Sequence, residues 1–121
     1  MADNSNEIIG TGGADHIIGT SGQDEIYGRS GDDIIDGLED DDIIFGEKGN
    51  DSLYGGEGDD QLFGGADDDI LYGNQGNDKL VGSGGNDSLY GGLGNDELLG
   101  GDGEDAIWGC LLYTSPSPRD A

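Results

Sequence analysis

The chain has 121 residues, of which 28 are Asp or Glu and 4 are Lys or Arg, for a formal charge of −24, with 27 glycines and one cysteine. A polymer this acidic repels nucleic-acid phosphates and anionic membrane surfaces, so neither is an expected partner, whereas cations are. No apolar run approaches the roughly 18 residues of a membrane span, the start MADNSNEII lacks the basic and apolar segments of an N-terminal signal peptide, and a lone cysteine supports no disulfide framework.

From the first residue the sequence repeats every nine positions without an insertion. Units begin at Met1, Gly10, Gly19, Gly28, Gly37, Gly46, Gly55, Gly64, Gly73, Gly82, Gly91 and Gly100. The sixth position is Asn6 in the first unit and then Asp15, Asp24, Asp33, Asp42, Asp51, Asp60, Asp69, Asp78, Asp87, Asp96 and Asp105; the eighth is Ile or Leu from Ile8 to Ile107. A fixed period of this kind governs the fold and takes precedence over local helix or strand signals.

Within each unit the first six residues are rich in Gly, Asp, Asn and Ser, which accept the left-handed backbone conformations of tight turns. The last three, such as Gln61-Leu62-Phe63 or Ser88-Leu89-Tyr90, favour strand. Taken in chain order, the units predict a turn and one very short strand, twelve times over, with the eighth side chain facing in and the seventh and ninth facing out. The glycines and the missing 3.6-residue period exclude helix.

A three-residue strand is stable only when stacked on others about 4.8 Å away. The expected fold is all-β, with about six two-strand coils stacked over residues 1–109. Two units make one coil, so Asp24, Asp42, Asp60, Asp78 and Asp96 form one column, and Asp15, Asp33, Asp51, Asp69, Asp87 and Asp105 another. Carboxylates at that spacing repel unless a positive charge lies between them. Arg29, Lys48 and Lys79 are too few and wrongly spaced to supply it. Oxygen-only ligands suit a hard divalent cation, calcium above all; about ten such gaps, each holding a +2 ion, would offset roughly −20 of the charge.

The units resemble the calcium-binding nonapeptide G-G-x-G-x-D-x-U-x of RTX (repeat-in-toxin, haemolysin-type) proteins. GGEGDDQLF at 55–63 and GGLGNDELL at 91–99 fit at every fixed position. The resemblance covers residues 1–109. It implies a parallel β-roll, a right-handed β-solenoid, with several calcium ions, about 8–10, held between turns by the sixth-position side chains from Asp15 to Asp105. It further implies backbone ligands from the Gly-rich turns, such as the carbonyls of Gly55, Gly58, Gly73, Gly76, Gly82, Gly85, Gly91 and Gly94. Asn6 would be a weaker, neutral ligand. The family also implies a secreted, extracellular protein exported by type I secretion.

Some units depart from the pattern. Asp40 and Asp67 replace the fourth-position Gly, and Thr11, Thr20, Arg29, Leu38, Glu47, Asn74 and Ser83 replace the second. Weaker calcium sites are therefore expected towards the N-terminus. After Gly109 the chain reads CLLYTSPSPRDA. This resembles a translated sequencing-library adapter, so residues 110–121 are expected to be a non-native, disordered tail in which Cys110, Pro116 and Pro118 have no role.

The function expected is calcium binding coupled to folding. The acids are the same in every unit, with no differentiated pair, and an enzyme is not expected; no stretch has the spacing of an EF-hand loop. Two alternatives stand beside this reading. One is an accessory module of a larger secreted protease, lipase or epimerase, whose catalytic domain would lie downstream. The other is an adhesin-type module that binds a glycan or protein on the ninth-position aromatics Tyr27, Phe45, Tyr54, Phe63, Tyr72, Tyr90 and Trp108, for which ladder packing along the sheet is the plainer role. His16, at a seventh position, is expected on the surface.

Overall fold

The computed structural model describes residues 6–109; the expectation of a disordered tail falls on 110–121, outside the described residues. Every unit supplies one strand: β1 (Asn6–Ile9), β2 (His16–Ile18), β3 (Asp24–Tyr27), β4 (Ile34–Asp36), β5 (Ile43–Glu47), β6 (Ser52–Tyr54), β7 (Gln61–Gly65), β8 (Ile70–Tyr72), β9 (Lys79–Ser83), β10 (Ser88–Tyr90), β11 (Glu97–Gly101) and β12 (Ala106–Trp108). Each is too short to hold together alone, and each is stabilised by pairing with the strand two units away.

The pairing is parallel throughout. Odd strands form one six-stranded sheet in the order β1-β3-β5-β7-β9-β11, and even strands form the other. The register is eighteen residues, as in Ile44↔Leu62 and Leu53↔Leu71, so every position of a unit sits over its counterpart one coil away. The described residues thus form an all-strand β-solenoid of about six turns, a parallel β-roll. In the odd sheet β5, β7, β9 and β11 run to five residues, because second-position residues pair as well, for example Glu47↔Gly65.

The interior is one residue deep on each side. Ile26, Ile44, Leu62 and Leu80 from the odd sheet meet Ile35, Leu53, Leu71 and Leu89 from the even sheet, all without solvent exposure. Ile8, Ile17 and Leu98 pack partly against this column, while Ile107 in the last coil is 49% exposed. The ninth-position aromatics stack on one another outside the sheets. Tyr54, Tyr72, Tyr90 and Trp108 form a continuous pile with ring centroids 4.9, 4.8 and 4.5 Å apart, and Tyr27, Phe45 and Phe63 form a second, at 5.1 and 5.0 Å. His16 is exposed, as expected.

Candidate metal centre

Position six lies where the turn enters the sheet, as the first residue of β1 and β3 and one residue before each of the other strands. Its side chain points to the same side as the eighth, into the corner of the coil. The sixth-position residues from Asp24 to Asp87 are accordingly only 1–2% exposed; Asp15, Asp96 and Asp105 are partly buried because their coils lie near the ends of the stack.

Eighteen-residue register turns these side chains into two ladders. The backbone N–H of Asp42 donates to Oδ1 of Asp60 at 2.8 Å, that of Asp60 to Oδ1 of Asp78, and that of Asp78 to Oδ1 of Asp96. The same bond runs along the other column, from Asp15 to Asp33 and onward to Asp105. Each carboxylate from Asp33 onward therefore hooks onto the backbone one coil back through one oxygen. The other oxygen, Oδ2, is buried without a hydrogen-bond donor in Asp33, Asp42, Asp51, Asp60, Asp69, Asp78, Asp87 and Asp96.

That second oxygen lies against the first-position glycine of its own unit. A Cβ on Gly73 would stand 2.6 Å from Asp78 Oδ2 and 2.8 Å from the carbonyl oxygen of Gly91 in the next coil. A Cβ on Gly37 would stand 2.5 Å from Asp42 Oδ2 and 3.0 Å from the Gly55 carbonyl. Of the backbone oxygens expected as ligands, those of Gly55 and Gly91 thus share a corner with a sixth-position carboxylate. Those of Gly58, Gly76 and Gly85 instead face the fourth-position glycine of the following coil, at Gly76, Gly94 and Gly103 respectively. Among the described residues, no three His, Cys, Asp or Glu side chains converge on one point. A cation held here would take one or two carboxylates and complete its shell with carbonyls.

The sequence-model match decides the family. The model described as the RTX calcium-binding nonapeptide repeat, four copies long, matches residues 9–44, 36–71 and 72–107. The chain belongs to this RTX repeat family. No curated protein matched the chain. Membership carries calcium binding as the family's property, and the RTX β-roll is a structural repeat rather than a catalytic one.

The RTX chain's own residues pass a simple test of fit for such a cation. A buried carboxylate oxygen without a donor is costly unless it meets a positive charge, and an oxygen-only corner is the chemistry a hard divalent ion selects. The cost shows in the carboxyl pKa values, which are raised above the ordinary carboxylate range. Burial pushes Asp42, Asp51 and Asp78 up to about 7, Asp60 and Asp69 to about 8, and Asp87 to about 6. Nearby carboxylates, such as Asp24 beside Asp42 and both Asp42 and Asp78 beside Asp60, add to the rise, and the N–H bond from the preceding coil opposes it.

Two features of the site were not read from the sequence. The first-position glycines, such as Gly73, are required for space and not for backbone conformation, since none has a positive φ. The fifth position carries a second ladder, running the opposite way: the N–H of Asp59 donates to Oδ1 of Asp41, that of Asn77 to Oδ1 of Asp59, and that of Asn95 to Oδ1 of Asn77. Asp or Asn at every fifth position from Asp32 to Asn95 was the available signal.

Proposed function

We propose that this RTX segment binds several calcium ions between adjacent turns, and that binding drives its folding. The sixth-position carboxylates from Asp33 to Asp96 are the side-chain ligands best suited to the task, with turn carbonyls such as those of Gly55 and Gly91 beside them. The bound ion would supply the positive charge that the buried carboxylate columns lack.

One observation carries the reading: the row of buried, donorless Oδ2 atoms in a family defined by calcium binding. The magnitudes agree with it. With a dissociation constant near 10⁻⁴ M, a site contributes about 1.4 kcal/mol at millimolar calcium, so eight sites give about 11 kcal/mol, comparable to the whole net stability of an ordinary domain. Such a chain stays extended in a calcium-poor cytoplasm and folds in calcium-rich surroundings outside the cell, which suits a secreted protein exported before it folds.

Far-ultraviolet circular dichroism tests the coupling. The chain in excess EGTA is expected to give a coil spectrum and to gain strand on addition of millimolar calcium. A spectrum already rich in strand in EGTA would count against it.

A further inference from the structure

The turns before β2 and β3 are built on a different plan from those that follow them. From the turn before β4 to the turn before β12, the second and fourth positions both have positive φ, whether glycine or not: Arg29 and Gly31 at 75° and 98°, Leu38 and Asp40 at 77° and 76°, Gly92 and Gly94 at 85° and 104°. In the turns before β2 and β3, neither Thr11 and Gly13 nor Thr20 and Gly22 has a positive φ. A β-branched residue resists that region strongly, so threonine at the second position sends the turn along another path.

The change of path closes the carboxylate. Thr11 donates its N–H to Asp15 Oδ2 at 2.6 Å and its hydroxyl to Asp15 Oδ1 at 2.8 Å, while its hydroxyl oxygen accepts the Gly13 N–H at 3.1 Å. Thr20 does the same for Asp24 at 2.7 and 2.8 Å, with Gly22 as its donor. Asn6, the one sixth-position residue that is not an acid, donates its side-chain amide to Asp24 Oδ1 at 3.2 Å and to Thr20 Oγ1 at 3.1 Å. Asp24 is as buried as the Asp residues further on, yet both of its oxygens have donors. From Asp33 to Asp96 the Oδ2 atom has none.

We propose that residues 6–27 form a calcium-independent cap, in which Thr11, Thr20 and Asn6 provide the donors that a cation provides elsewhere. Asp15 and Asp24 then bind no ion, and the closed coil offers an edge on which the calcium-dependent coils assemble. The inference rests on the calcium-binding reading above and assigns which turns take part in it.

Calcium uptake at saturation, measured by equilibrium dialysis on the full chain, separates the cap from the array. The Asp15→Asn/Asp24→Asn double variant is expected to bind as many ions as the unaltered chain, and the Asp60→Asn/Asp78→Asn variant at least two fewer. Thr11→Gly/Thr20→Gly, which restores the consensus turn, is expected to bind one or two more. Equal losses from the two Asp→Asn pairs, or no gain from the Thr→Gly pair, would overturn the assignment. Should a variant fail to fold, ion positions in calcium-loaded crystals of the unaltered chain give the same answer: ions are expected beside Asp33 to Asp96 and not beside Asp15 or Asp24. Ions at Asp15 and Asp24 as well would sink the cap alone, whereas no uptake anywhere would sink the calcium reading itself.

Discussion

A single methyl group at Gly73 would collide with both the carboxylate of Asp78 and the carbonyl of Gly91, and that crowding sets what each unit tolerates. The neighbours are a buried ladder carboxylate and backbone, neither free to withdraw. Gly73→Ala is therefore expected to lower stability by about 1–3 kcal/mol and to weaken calcium uptake at the adjoining corner, read as a rise in the calcium midpoint of the folding transition. An unchanged midpoint would show that the corner is not where the ion sits. The sixth-position acids were legible from spacing alone. The reason for the first-position glycine was not, because turn chemistry explains glycine equally well until register places a carboxylate beside it. Asp40 and Asp67 behave as their chemistry allows, with φ of 76° and 74°, whereas Thr11 and Thr20 resist that conformation and change the turn.

At the scale of the element, a strand of three residues survives through what stacks on either side of it. Inside is the aliphatic column; outside, on part of each sheet, is the aromatic pile. Tyr72 lies between Tyr54 and Tyr90 with ring planes within 7° of both. The ring faces are turned towards each other, so a sugar could stack only at the ends of a pile, and ladder packing is the role the geometry supports. Tyr72→Ala removes two stacked contacts, each worth about 0.5–1.5 kcal/mol beyond its buried area. The expected loss is about 1–3 kcal/mol, seen as a higher calcium midpoint; no loss would mean that the pile merely decorates the sheet. All twelve strands, their alternation and their pairing partners were readable from the nine-residue period. The longer odd strands were not, since their extra pairs use second-position backbone groups that no side-chain pattern marks.

For the whole molecule, charge decides when the coil can close. Burial raises the pKa values of the inner column above the ordinary carboxylate range, to about 8 at Asp60 and Asp69. A carboxyl whose value is higher folded than unfolded favours the folded state while protonated; that support is full below about pH 4 and is lost as pH rises through 4–8. The metal-free chain is thus expected to gain strand on acidification from pH 8 to pH 4. Calcium binding near pH 7 is expected to release protons and to tighten as pH increases. A strand content indifferent to pH in EGTA would contradict this. The period made the polyanion evident from sequence; only the folded register revealed that one oxygen of each inner carboxylate is tied to backbone while the other stands alone.

The most direct measurement is calcium uptake followed together with strand content on the same sample, by equilibrium dialysis and circular dichroism. Several ions are expected to bind at millimolar calcium, about eight if the carboxylates from Asp33 to Asp96 each anchor one, with uptake and strand rising in step. A chain that reaches its full strand content in chelator, or that takes up no calcium at millimolar concentration, would contradict it.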